Sequence, residues 1–159
     1  MESQGGAKPS FDIAAMSMAS KGVLISGVLL LIDTFLPWEK VCVSFLGQSA
    51  CGSASAWGGT GSWAGWIMGI LLIVLVLFEI SKLANMSMQL PIAPSKATAY
   101  LGFAVVGFGV LKFILVLTGP VSAGIGAWLG IIFLAGLGYA SFLYLKAEEA
   151  ATAPPQAEL

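Results

Sequence analysis

Few residues in this 159-residue chain could carry chemistry. Cys42 and Cys51 are its two cysteines, with eight residues between them. In an oxidising compartment such a pair closes into a disulfide. On the chain-entropy model so short a loop gains roughly 2.5–3 kcal/mol. A redox-active pair is a second reading, but the spacing is not C-x-x-C and Lys40 is the one cation nearby. Free thiols are the third. Asp33, Glu79 and Lys112 lie inside apolar stretches, where ionisable groups are functional candidates by default. Met16 with Met18, and Met86 with Met88, form two M-x-M pairs. Their thioethers could ligate Cu(I) or make adaptable apolar contacts; the second is the expectation, and no metal or cofactor is expected.

What is missing excludes more. The chain has no histidine, and its seven basic residues are all lysines. Imidazole ligation, His-based relays and triads are therefore excluded, as are guanidinium forks and arginine voltage sensors. A net charge of −1 offers no field for nucleic acid. With 58% hydrophobic and 9% charged residues, the composition excludes a soluble enzyme and points to a membrane protein.

The elements that must position these groups are apolar helices. A spanning helix needs roughly 20 apolar residues. Four stretches qualify, at 22–38, 63–80, 97–119 and 122–145. The expected fold is an all-α bundle of four transmembrane helices over 10–146, with disordered ends at 1–9 and 147–159. Ser10 is a candidate N-cap for an earlier start of the first helix. That helix is expected to be retained rather than cleaved, because the nearest small-residue run, at 53–56, lies far beyond its apolar stretch. With the N-terminus cytoplasmic, Lys8, Lys21, Lys82, Lys96 and Lys146 lie inside and Lys40 outside. The lysine rule thus puts both termini in the cytoplasm.

Depth along the helices suggests which charges meet. Asp33 is five residues below Trp38, or roughly 7–8 Å, and Lys112 is seven below Gly119, or roughly 10 Å. The two are expected to form an intramembrane ion pair that fixes register. Snorkelling of Lys112 and a proton- or ion-linked site are the alternatives. Glu79 is expected to pair with Lys82 one turn away.

Between the first two spans, Val41, Val43 and Phe45 alternate with Cys42 and Ser44, which is strand periodicity. The Gly-, Ser- and Ala-rich stretch 47–62 follows. The expected element is a small stapled hairpin with a flexible return. Trp38, Trp57, Trp63 and Trp66 flank it, and Trp128 opens the last span; these read as interfacial aromatics. Gly65 with Gly69, and Gly126 with Gly130, form G-x-x-x-G pairs, which allow close helix packing or present a partner face. Leu83, Met86 and Leu90 could continue the second helix along the membrane surface before Pro91 and Pro94. Span, turn, span recurs in each half, a faint echo of a duplicated hairpin.

The run from Asp33 through Pro37 and Trp38 resembles the end of the first helix in small four-span integral membrane proteins of high-GC Gram-positive bacteria. The Ser55-Ala56-Trp57-Gly58-Gly59 and Gly126-Ala127-Trp128-Leu129-Gly130 runs are similar to that pattern too. The resemblance covers most of 20–145. It implies a plasma-membrane location and four helices, and implies no activity.

Three functions compete on this reading. A non-enzymatic accessory or scaffold subunit would bind other membrane proteins, or itself, through glycine-rich helix faces and the outer loop. A small oligomeric transporter or channel would place Asp33 and Lys112 near its pathway. A thiol–disulfide oxidoreductase is the one enzyme chemistry hinted at. The first is the expectation.

Overall fold

A computed structural model describes residues 14, 16–84 and 92–152. The elements are α1 (Met18–Asp33), β1 (Glu39–Phe45), β2 (Gln48–Ala54), α2 (Ser62–Leu83), α3 (Pro94–Thr118), β3 (Ser122–Ala123) and α4 (Ile125–Thr152). Expectations for 1–9, Ser10, Met86, Met88, Leu90 and 153–159 lie outside the described residues.

Helices α2, α3 and α4 are long and apolar enough to cross a membrane, with 22, 25 and 28 residues. Helix α1 has 16 residues, about 24 Å at 1.5 Å per residue, against about 30 Å of hydrocarbon. It starts four residues before the expected 22–38 stretch and stops five residues short of its end, and its two ends explain the shift. The Ser17 hydroxyl caps it by accepting from the Ser20 N–H at 3.1 Å. At the other end Pro37 disfavours helical backbone at Leu36, and the chain leaves through turns in which Phe35 and Leu36 N–H donate to Ile32 and Asp33 carbonyls.

Each helix packs on two others: α1 on α4 and α2, and α3 on α2 and α4. The bundle is thus a ring with α1 and α3 on a diagonal. Its core includes Val23, Leu30, Met68, Leu72, Leu75, Val105, Leu134 and Leu137.

The sheet, ordered β2-β1-β3, closes one end of the ring. β1 and β2 pair antiparallel with Cys42 opposite Cys51. The turn between them has two residues, Leu46 at φ 50° and Gly47 at φ 79°. Positive φ at both positions is the turn whose twist suits a tight hairpin. The expected fourth span began at Ser122; instead Ser122 and Ala123 pair with Lys40 and Glu39 of β1. α4 starts only after Gly124, whose N–H donates to the Trp38 carbonyl at 2.8 Å.

α4 also runs further than expected. Residues 147–152, read as part of a disordered tail, are helical. Alanine and glutamate are strong helix formers, and the Thr152 hydroxyl donates back to the Glu148 carbonyl at 3.0 Å.

Candidate functional site

The hairpin end is built on a buried cation. Lys112 of α3 is fully buried. Its ammonium donates to Glu39 Oε1 at 2.6 Å, the Gly58 carbonyl at 2.9 Å and the Thr60 carbonyl at 2.5 Å. Three donors meet three oxygens, so the ammonium is saturated. The other Glu39 oxygen accepts from the Thr60 N–H at 2.9 Å. Gly59, at φ 68°, lies between these contacts, and a Cβ there would overlap the Glu39 carboxylate. Only glycine suits both the left-handed backbone and the close approach.

This corrects the expected Asp33–Lys112 pair. α1 and α3 stand across the ring, so Lys112 reaches along its own helix toward the sheet and ends on Glu39. Asp33 is buried at the end of α1 and takes a different partner. The Trp38 indole N–H donates to the Asp33 carbonyl and to Asp33 Oδ2, both at 3.2 Å. Asp33 Oδ1 has no partner among the described residues.

Trp38 is also a correction. It is fully buried rather than interfacial, with its ring against Gly126 and Gly130 of α4. Its backbone N–H donates to the Ala54 carbonyl at 2.8 Å and its carbonyl accepts from Gly124. Trp38 thus ties α1, the hairpin and α4 together. Trp57 does the same for α2. Its indole N–H donates to Thr34 Oγ1 at 3.0 Å, its ring covers Gly69, and Trp66 lies edge-on to it at 5.0 Å. Gly65 packs against the Ala56 carbonyl. Gly65, Gly69, Gly126 and Gly130 are buried by the chain's own residues, which is the close-packing alternative of the two expected and not the partner face. Trp63, Trp66 and Trp128 are about half exposed, as interfacial aromatics would be.

The Cys42–Cys51 disulfide is formed. It staples a hairpin with unlike faces. Val41, Val43 and Phe45 share one face with their partners Gly52, Ala50 and Gln48. Lys40, Cys42 and Ser44 share the other with Ser53, Cys51 and Ser49. All twelve are exposed. Phe45 is 78% and Leu46, in the turn, 88% exposed. At the foot of the apolar face lies an open depression of about 560 Å³ lined by Glu39, Val41, Ala54, Gly59, Thr60 and Val121.

At the far end a second polar cluster joins all four helices. Glu79 of α2 is fully buried. Its Oε1 meets Lys82 Nζ at 2.6 Å and accepts from Thr98 Oγ1 at 2.7 Å. Its Oε2 accepts from Ser20 Oγ at 2.9 Å and from the Tyr144 hydroxyl at 3.0 Å. The Glu79–Lys82 pair was expected; the contributions of Ser20, Thr98 and Tyr144 were not. Hydroxyls inside apolar helices were the available signal, since a buried hydroxyl needs a partner. For Glu39 the signal was its position one residue beyond a span, within reach of a snorkelling lysine. Among the described residues there is no group of three or more His, Cys, Asp or Glu that could hold a metal ion.

No family model, curated protein or solved structure matches the chain.

Proposed function

We propose that this chain is a small accessory protein of the plasma membrane, with four spans and both termini cytoplasmic, that engages other membrane proteins through its stapled hairpin. The observation that carries this reading is the exposed apolar face of Val41, Val43 and Phe45, with Leu46 at the tip. Large apolar side chains grouped on a protruding element mark an interaction surface. The clamp beneath supports the reading. Glu39 begins β1, and its ion pair with Lys112 anchors the hairpin to α3 and to the 58–60 loop. A docking element held this way loses less freedom on binding.

The inward polar chemistry supports the same choice over a transporter. Lys112 has no donor left for a passing solute, and both Glu79 oxygens are occupied; Asp33 Oδ1 is the one buried carboxylate oxygen among the described residues without a partner, and a single such atom does not make a pathway.

Site-specific photo-cross-linking tests the role. A photoreactive phenylalanine at position 45, on the apolar face, should give discrete protein adducts in living cells. The same group at position 44, on the polar face, should give far fewer. Only lipid adducts and uncross-linked monomer from position 45 would contradict the reading.

A further inference from the structure

The apolar face ends at an open edge. β2 pairs with β1 alone, so its other side lies at the rim of the sheet. The direction of its backbone groups follows from the turn. Phe45 and Gln48 flank a two-residue loop and are opposite each other, which makes them a hydrogen-bonded pair. Alternation then aims the N–H groups of Ala50 and Gly52 at β1, and those of Ser49, Cys51 and Ser53 outward. The Cα separation of 4.1 Å between Cys42 and Cys51 agrees, being that of a non-hydrogen-bonded pair. Outside the strand ladders, no backbone bond among the described residues engages these three outward N–H groups.

Edge strands are usually guarded by lysine, proline, a bulge or a covering element. Among the described residues β2 has none of these. Its residues Gln48–Ala54 are uncharged, and apart from Gln48 they are small. The strand itself therefore opposes an approaching backbone with no charge and, Gln48 apart, no large side chain. The neighbouring strand supplies Val41, Val43 and Phe45 for alternate side chains of the newcomer to lean on. Charge narrows the partner further. Lys40 is the one charged residue from 40 to 56, and it stands opposite Ser53 at the foot of β2.

We propose that β2 is a strand-addition site. An extended segment of a partner protein would join it as a fourth strand, apolar on alternate residues, uncharged along most of its length and acidic at the end that meets Ser53. The proposal rests on the docking role of the hairpin and names the class of partner. Backbone bonds supply affinity in such complexes, and alternate side chains supply specificity. A second copy fits less well. β2 against β2 would give Lys40 no acidic complement, because the strand has none to offer.

The test uses the full chain in lipid nanodiscs. The probes are two heptapeptides of alternating threonine and valine, with aspartate at one end or the other. At millimolar concentration one of them should slow amide exchange at Ser49, Cys51 and Ser53 by about tenfold or more. The inward amides of Ala50 and Gly52, protected already, should change little. Ser49→Pro and Ser53→Pro remove outward donors and leave the β1–β2 ladder intact. Each should weaken peptide binding by about tenfold, equivalent to about 1.4 kcal/mol, while the disulfide and the Ala50 and Gly52 amides stay as in the parent. Unchanged edge exchange with either peptide, or undiminished binding by both proline variants, overturns the proposal. So does edge protection that appears without peptide and grows with protein concentration, which would give the edge to a second copy. If position-45 adducts form undiminished in both proline variants, strand addition fails and the docking role stands. If no protein adducts form, the docking role itself fails.

Discussion

Glu39 and Lys112, 73 residues apart in sequence, meet at 2.6 Å with both side chains almost wholly buried. The pair joins the first residue of the hairpin to the third helix. The same ammonium holds the loop that leads into the second helix. The hairpin's foot is therefore fixed by electrostatics in a place shielded from water.

Breaking one side of this pair should be worse than removing both. Lys112→Met leaves Glu39 buried without its cation and two carbonyls without a donor, and should cost about 3–5 kcal/mol. Glu39→Gln with Lys112→Met should cost less than the sum of the single changes. Thermal unfolding in mild detergent measures the coupling. Strictly additive losses would mean that the pair does not act as a unit.

The staple should matter to the hairpin and little to the bundle. Changing Cys42 and Cys51 together to serine should lower hairpin stability by about 2.5–3 kcal/mol on the loop-entropy account. Amide exchange should quicken across 41–53, while amides in the cores of α2 to α4 keep their protection. Faster exchange throughout the helices would contradict this separation.

Two glycines should respond in opposite directions. A methyl at Gly130 would overlap the Trp38 ring and the Asp33 carboxyl. Gly130→Ala should therefore destabilise by about 1–3 kcal/mol. Gly107 has open space around its missing Cβ. Gly107→Ala should gain about 0.5–1 kcal/mol from reduced backbone entropy. Parallel unfolding curves of the two variants decide this.

The far-end cluster makes a fourth prediction. The Tyr144 hydroxyl meets both Ser20 and Glu79. Tyr144→Phe should cost about 1–3 kcal/mol, because buried partners lose a hydrogen bond. Tyr100 on α3 is exposed, and Tyr100→Phe should stay within about 0.5 kcal/mol of the parent. Equal effects of the two changes would argue against the cluster.

The helices and the hairpin were legible because each rests on a local pattern. Apolar runs of helical length marked α2 to α4, and alternation at Val41, Val43 and Phe45 marked β1. Opposed cysteines completed the staple. Partner choice at the hairpin end was not legible, because it depends on ring order. Asp33 and Lys112 share a depth, but depth says nothing about which helices are neighbours, and the diagonal separates them. Trp38 misled for a related reason. Tryptophan beside a loop suits an interface, but only tertiary structure shows that Gly126 and Gly130 open a seat for it. The strand at Ser122 and Ala123 is too short to leave a periodic signal.

The central claim is that the hairpin is presented on the non-cytoplasmic side. The chain's own chemistry offers a direct measurement, since Cys42 and Cys51 are its two cysteines and both are exposed. Intact cells would be treated with a membrane-impermeant reductant and then a membrane-impermeant maleimide. The account predicts that both thiols are labelled after reduction and that neither is labelled without it. Labelling that requires permeabilised cells would put the hairpin on the cytoplasmic side and contradict the account.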